Sequence, residues 1–370
     1  MASSAHNQQE YPPNTYAATA APPPTPSTQP NHHLASSAAT ADALSRLLHR
    51  LPPSLSLPTN RSPSTRSPPV ISLSDPKLND LILPSASQLG FFQLINHDIP
   101  SQLAGSAESE SLSLFDLTLD QKESNFPKNW PLGFDADDEL DAGNGTSGQS
   151  FCLDVSCLTE SKELALSSLL EFTRASQKLG LRIIDALASA VGFENPVGED
   201  PTGVCSLMWI SEGQDNNDEP VMLGGFYPYV VGLQYQIRCQ KYTLLTDSGW
   251  VSASPQVDSI MVTLGDIAQV WSNGKLKKVR GRPVACLGEV ESKSSRYISM
   301  SLQVTLRKDC RISPLLPKEN VEKEEEEEDD DPIQGNTQKK MFNSFPLEDY
   351  AWKVYHQRLP LKDPLDRYRI

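Results

Sequence analysis

Metal-ion and nucleophilic chemistry draws on histidine, cysteine and clustered carboxylates, and this chain spaces those residues in an uncommon way. It has six histidines in 370 residues, and none lies between His97 and His356. His32 and His33 are neighbours, but they sit in a stretch rich in Ser, Pro, Ala and Thr. The six cysteines (Cys152, Cys157, Cys205, Cys239, Cys286 and Cys310) form no Cys-x-x-Cys pair. They read as reduced, intracellular thiols rather than as a zinc site or a disulfide framework. The strand-like segments of the second half carry further polar residues, Arg238 among them. Arginine has no lone pair to offer a metal and is always charged, so Arg238 opposes a cation. A pocket holding it favours an anion, either a small carboxylate or an internal acid.

Periodicity supplies the elements that would position these residues. Pro69–Leu73 reads as a short strand, Pro76–Leu89 as helical, and Gly90–Ile95 as a buried strand of aromatic and β-branched residues. Residues 130–150, rich in Gly and Asp, read as a loop. Leu166, Leu169, Leu170, Phe172, Leu179, Ile183, Leu187 and Val191 form one apolar stripe, which predicts a long helix over Thr159–Val191. Gly192 stands where a C-terminal cap belongs. After Gly203 the texture changes to strands: Val204–Ile210, Tyr229–Ile237, Lys241–Leu245, Ile260–Leu264, Lys275–Pro283 and Tyr297–Leu306. Asp247-Ser248-Gly249 and Ser272-Asn273-Gly274 carry hairpin chemistry. Strands at this spacing predict an antiparallel double sheet or barrel, such as a jelly roll.

The ends of the chain differ in character. Residues 1–68 are too polar and Pro-rich to offset chain entropy and are expected to be disordered, apart from a short amphipathic stretch at Leu44, Leu47, Leu48 and Leu51. Residues 318–344 form a polar linker. Within it, residues 321–331 hold nine acids and one lysine, a large share of the net charge of −15. Phe345–Ile370 regains aromatics, with Glu348 and Asp349 opening a helix, and is expected to dock back onto the domain. Lys275, Lys277, Lys278, Arg280 and Arg282 read as a solvated basic edge strand, with a tether to the acidic run as the sharper alternative. The acidic balance disfavours nucleic-acid binding. No apolar run approaches the roughly 20 residues needed to span a bilayer, and the N-terminus lacks a secretory pattern, so a cytoplasmic location is expected.

Six segments stand in an order that resembles one family. Gly90–Pro100, Phe226-Tyr227-Pro228, Tyr242-Thr243-Leu244-Leu245, Gly249-Trp250-Val251, Leu264-Gly265-Asp266 and Ser272–Lys277 are similar to the plant 2-oxoglutarate and Fe(II)-dependent dioxygenases, the isopenicillin-N-synthase-like class that includes gibberellin oxidases. The likeness covers residues 69–315. It implies a mainly β fold with α: a distorted double-stranded β-helix, or jelly roll, over 201–315, fronted by a helix-and-strand region over 69–200.

The same resemblance implies a site that this chain has altered. The family holds Fe(II) by His-x-Asp and a later His, and grips 2-oxoglutarate by Arg-x-Ser. On that pattern Gln236 stands for the first His, Arg238 for Asp and Gly281 for the second His. Arg296 and Ser299 are one residue too far apart to share a strand face without a bulge. Tyr227 matches a tyrosine that often helps hold the co-substrate. The reading that follows is a degenerate member with no bound metal or cofactor, acting as a binding or scaffold protein. Its expected partners are a small anionic ligand in the pocket and a protein. The competing reading is an active 2-oxoglutarate-dependent oxygenase with an atypical metal site.

Overall fold

The alternating strands of the second half close into two facing sheets in the computed structural model. It describes residues 64–136, 149–160, 164–199, 203–213, 227–286, 297–315, 340–356 and 363–370. The chain divides into two units at Arg61/Ser62, and all of these residues belong to the second. Most of the N-terminal arm with its Leu44–Leu51 stretch, most of the loop expected before residue 150, and the acidic run lie outside the described residues.

Fourteen strands are described: β1 Ser64–Arg66, β2 Val70–Ser72, β3 Phe91–Ile95, β4 Gly133–Ala136, β5 Gln149–Leu153, β6 Val204–Gly213, β7 Val231–Tyr235, β8 Lys241–Thr246, β9 Gly249–Ala253, β10 Ile260–Leu264, β11 Val279–Cys286, β12 Tyr297–Leu306, β13 Arg311–Ile312 and β14 Phe345–Pro346. The major sheet runs β2-β3-β10-β7-β12-β6-β5-β4 and the minor sheet β1-β9-β8-β11. The helices that matter to the site are α1 Leu78–Gln88, α2 Ser101–Phe115, α3 Leu119–Asn125, α4 Val155–Glu160, α5 Ser167–Val191, α6 Asp266–Trp271 and α7 Leu347–His356. This is the jelly roll with leading helices.

Strand parity separates two environments. On the outer face of the major sheet, Leu233, Val262, Leu264, Leu302 and Val304 join Leu169, Phe172, Leu179, Ile183 and Leu187 of α5 in one apolar core. Burying each such side chain is worth roughly 2 kcal/mol. Between the sheets lies a much smaller apolar cluster, with Phe91 and Met261 against Tyr242, Leu244, Val251, Ala253 and Val279. The rest of the inner face is polar.

Several elements differ from the periodicity reading. The long helix is broken: α4 ends at Glu160 and α5 starts at Ser167. Leu166 at the N-cap of α5 has no side-chain acceptor, so Glu110 of α2 serves instead, accepting from the backbone N–H groups of Ser168 at 3.0 Å and Leu169 at 2.8 Å. At the other end Gly192 takes the left-handed conformation, as expected. Ser272-Asn273-Gly274 does not turn a hairpin. It ends α6, with the Gly274 N–H donating to the Gln269 carbonyl at 2.8 Å. Asn-Gly favours positive φ, and both a hairpin and a helix terminus use that preference.

Other differences come from tertiary contacts. Ser64–Arg66, within the arm expected to be disordered, pair in parallel with β9. Phe342, at the end of the expected linker, is buried and bridges to Arg369. The basic strand is a solvated edge only in part: Lys275 and Lys277 are exposed, and β11 ends the minor sheet. Lys278 is fully buried, with its Nζ 2.6 Å from Asp266 and 2.7 Å from Asp363. The C-terminal segment does dock: Phe345 pairs with Ile312 and stacks on Tyr368 at 4.1 Å.

Candidate functional site

The first candidate position, Gln236, lies one residue past the end of β7. Met261 faces the minor sheet and pairs with Gln234, so Gln234 and, two residues on, Gln236 point the same way, into the space between the sheets. Gln236 has no exposed surface. Its Nε2 donates to the Gln234 carbonyl at 3.1 Å. A carbonyl can only accept, so Oε1 is the atom left over, and it has no partner among the described residues. Gln234 donates from Nε2 to the Ser299 hydroxyl at 2.9 Å, and its Oε1 is likewise buried and unpaired.

Arg238 leaves this space. Past the end of β7 the chain bends, and the guanidinium Nη2 meets Glu108 Oε2 of α2 at 2.7 Å. Of the two partners weighed for its charge, an internal acid is the one present. Helix α2 packs on the outer face, where the Ser111 hydroxyl reaches Met300 Sδ at 3.3 Å. The residue standing for the metal-binding carboxylate is thus paired with a helix outside the barrel.

Gly281 lies at the opposite end of the inner space. β11 slips register against β8 between Arg280 and Val284, so Gly281, Arg282 and Pro283 form a bulge. Gly281 has φ 68°, a left-handed conformation that strains any side-chain-bearing residue. The Tyr229 hydroxyl fastens the bulge, its one proton shared between the Val279 carbonyl at 2.9 Å and the Gly281 carbonyl at 3.1 Å. Burial raises the Tyr229 pKa, which keeps the proton on. Tyr229 and Thr263 crowd Gly232: a Cβ there would meet Thr263 Oγ1 at 2.6 Å and Tyr229 Cε2 at 3.2 Å. Gly281 is therefore tied to the Gly232 end of β7, whereas the Gln236 N–H donates to the Ser259 carbonyl. Four residues of strand, about 13 Å, separate those two ends. Arg238, turned to Glu108, does not join Gln236 and Gly281.

The remaining candidates are dispersed. Ser299 faces inward through Gln234, and Arg296 lies outside the described residues. Tyr227 is buried, with its ring 5.6 Å from that of Trp130, and burial raises its pKa. His97 uses both ring nitrogens: Nδ1 accepts from the Ile99 N–H at 3.2 Å, and Nε2 donates to the Asp258 carbonyl at 3.0 Å. Neither nitrogen is left for a metal.

Residues not singled out by sequence add polar atoms to the inner face. Trp209 on β6 pairs with Cys152 and Ser301, which places it on the inner face. It is 4 % exposed, and its Nε1 has no acceptor among the described residues. The guanidinium of Arg282, carried across by the bulge, lies 4.4 Å above its ring. Gln303, on the same face of β12, adds another buried, unpaired Oε1. Trp209 and Cys152 also line a small cavity of about 10 Å³ with Lys128, Trp130, Asp135 and Tyr355. Gln303 and its neighbours alternate with apolar residues along β12, but that pattern marks a half-polar strand rather than a site, and Trp209 on β6 lies outside it.

This donor set does not fit Fe(II) held as His-x-Asp and His. One position is a guanidinium committed to Glu108, one has no side chain, and the third is an amide tied to its own strand. Among the described residues, no group of three or more His, Cys, Asp or Glu could hold a metal ion. Among the same residues, no helix is long and apolar enough to cross a membrane.

Comparison with known proteins gives a consistent picture. Residues 69–141 match the family model described as the N-terminal region of the non-haem dioxygenase in morphine synthesis. Gibberellin 2-beta-dioxygenase 1 of Pisum sativum is 25% identical over 249 residues, 59% of this chain and 72% of the relative. Gibberellin 2-beta-dioxygenase 1 of Arabidopsis thaliana is 23% identical over 328 residues, 79% of this chain and 89% of the relative. Among solved structures, JOX2 in complex with 2OG, Fe and JA superposes with a TM-score of 0.64 at 16% identity, covering 88% of this chain and 97% of its own. The rice dioxygenase for auxin oxidation gives 0.63 at 17% identity, covering 82% and 100%.

Proposed function

The chain belongs to the 2-oxoglutarate/Fe(II)-dependent dioxygenase family, and we propose that within it this protein binds a small molecule without holding iron at the family's ligand positions. The observation that carries this reading is the pairing of Arg238 with Glu108. An arginine that merely replaced aspartate would leave a repulsive charge in the barrel. Here the charge is turned outward and neutralised by Glu108.

That interior is built as a receptor. Buried polar atoms without partners cost about 1–3 kcal/mol each, and proteins leave few of them. Gln234 Oε1, Gln236 Oε1, Gln303 Oε1 and Trp209 Nε1 are all buried without a partner among the described residues. A bound molecule that satisfies them offsets the cost. The expectation of an anionic ligand no longer draws on Arg238, whose charge Glu108 neutralises.

The test is turnover. Purified protein supplied with Fe(II), ascorbate, oxygen and 2-oxoglutarate forms no succinate above a protein-free control. Sustained succinate formation, abolished by Gln236→Ala, would overturn the proposal in favour of an oxygenase with an atypical metal site.

A further inference from the structure

Leu315 and Met341 are fastened at one place, the C-terminal end of α6. The Leu315 N–H donates to the Trp271 carbonyl at 2.9 Å, and the Met341 N–H donates to Asn273 Oδ1 at 2.8 Å. Met341 Sδ lies beside Gly274, 3.1 Å from where a Cβ would stand. The two ends of segment 316–339 are thus held together. Three lysines surround the same turn. Lys275 follows Gly274 directly, Lys277 is two residues further, and Lys340 precedes Met341; all three are exposed. Among the described residues none of the three enters an ion pair, whereas the neighbouring Lys278 is held by two aspartates.

Within that segment, residues 322–331 hold nine acids and one lysine. A chain extends at most about 3.5 Å per residue, so Glu322 stays within about 25 Å of Leu315 and Asp331 within about 32 Å of Lys340. By the same rule Lys275 and Lys277 lie within about 14 Å of Asn273. A tether this short holds the acidic run near the lysines at millimolar effective concentration. A second copy is a poorer occupant, because each copy carries a net charge of −15 and the two repel. We infer that residues 322–331 dock in cis on the basic surface made by Lys275, Lys277 and Lys340. The contact is between exposed charges, so salt weakens it: the screening length falls from about 10 Å at 0.1 M to about 3 Å at 1 M. It needs neither iron nor a ligand between the sheets. An anionic partner for these lysines has to displace the run.

Zero-length cross-linking tests this docking. Full-length protein, mixed from unlabelled and nitrogen-15-labelled copies, is treated with a water-soluble carbodiimide, which joins a lysine to a carboxylate only in direct contact. Lys275 and Lys277 are read, since Lys340 is too near the run in sequence to discriminate. At low salt, links from Lys275 or Lys277 to residues 322–331 form within one copy. They exceed those from Lys178, exposed on α5, by at least about fivefold. At about 1 M salt they fall to the Lys178 level. Lys275→Gln combined with Lys277→Gln gives an independent reading. At low salt a glutamate-specific protease cuts the run about threefold faster in this variant than in the native protein, the worth of one or two exposed ion pairs. At about 1 M salt the two rates agree. Four outcomes overturn the inference: links mainly between labelled and unlabelled copies, links no more frequent than those of Lys178, a yield that salt does not change, or equal cutting rates at low salt.

Discussion

Arg238 Nη2 and Glu108 Oε2 meet at 2.7 Å across 130 residues of chain, joining the end of β7 to α2. Glu108 is nearly buried and its second oxygen, Oε1, has no partner among the described residues. The pair is therefore a fixed contact rather than a surface decoration. It explains how a cation can occupy the position of a metal-binding carboxylate without breaking the fold.

Removing one partner should expose this dependence. Glu108→Gln leaves a partly buried guanidinium without its counter-charge. The expected loss is about 1–3 kcal/mol, at the low end of the buried-pair range because Arg238 is about one-third exposed. Arg238→Asp sets two carboxylates together and costs more than Arg238→Ala. Replacing both partners, Glu108→Leu with Arg238→Met, recovers most of the loss. Urea midpoints of the four variants check the ranking, and an Arg238→Asp protein as stable as Arg238→Ala would be incompatible with it.

The buried Lys278 gives a pH-dependent prediction. Burial alone would raise the Asp363 pKa, but the Lys278 ammonium, helped by Arg280, outweighs it and holds the carboxyl below its usual range. A lowered folded-state pKa contributes stability that is present above the unfolded value of about 3.9 and is lost as pH falls through the folded one. The stability gap between the native protein and Asp363→Asn should be constant from pH 7 to about pH 5 and shrink below about pH 4. A gap that widens on acidification contradicts the assignment. Lys278→Met, which strands two aspartates, should cost about 3–5 kcal/mol.

Glycine substitutions separate strain from entropy. Gly281→Ala, at φ 68°, should destabilise by about 1–2 kcal/mol. Gly105→Ala, within α2 and with nothing near its Cβ, should stabilise by about 0.5–1 kcal/mol. Thermal midpoints moving in opposite directions are expected. Gly281→His restores the family's residue type in a conformation that resists it and should behave like Gly281→Ala.

The strands were the most legible part of the fold. Ile260–Leu264 and Tyr297–Leu306 end where their β-branched and apolar runs end. The break between α4 and α5 was not legible, because the apolar stripe continues through Leu166. The burial of Lys278 was hidden because its aspartates lie 12 and 85 residues away. At the site, Gln236, Arg238 and Gly281 are singled out by resemblance to the family's pattern. Their consequences could not be read, since Glu108 sits in a helix whose sequence gives no sign of a partner on β7. Trp209 and Gln303 carried no motif, and only the register of β6 and β12 brings them to one face.

The central claim is that Gln236, Arg238 and Gly281 no longer form an iron site. An anaerobic titration of the full-length protein with Fe(II), followed by calorimetry, tests it most directly. The account predicts no saturable heat at micromolar concentrations and no change on adding 2-oxoglutarate. One equivalent bound with micromolar or tighter affinity, and lost in Gln236→Ala, would contradict it.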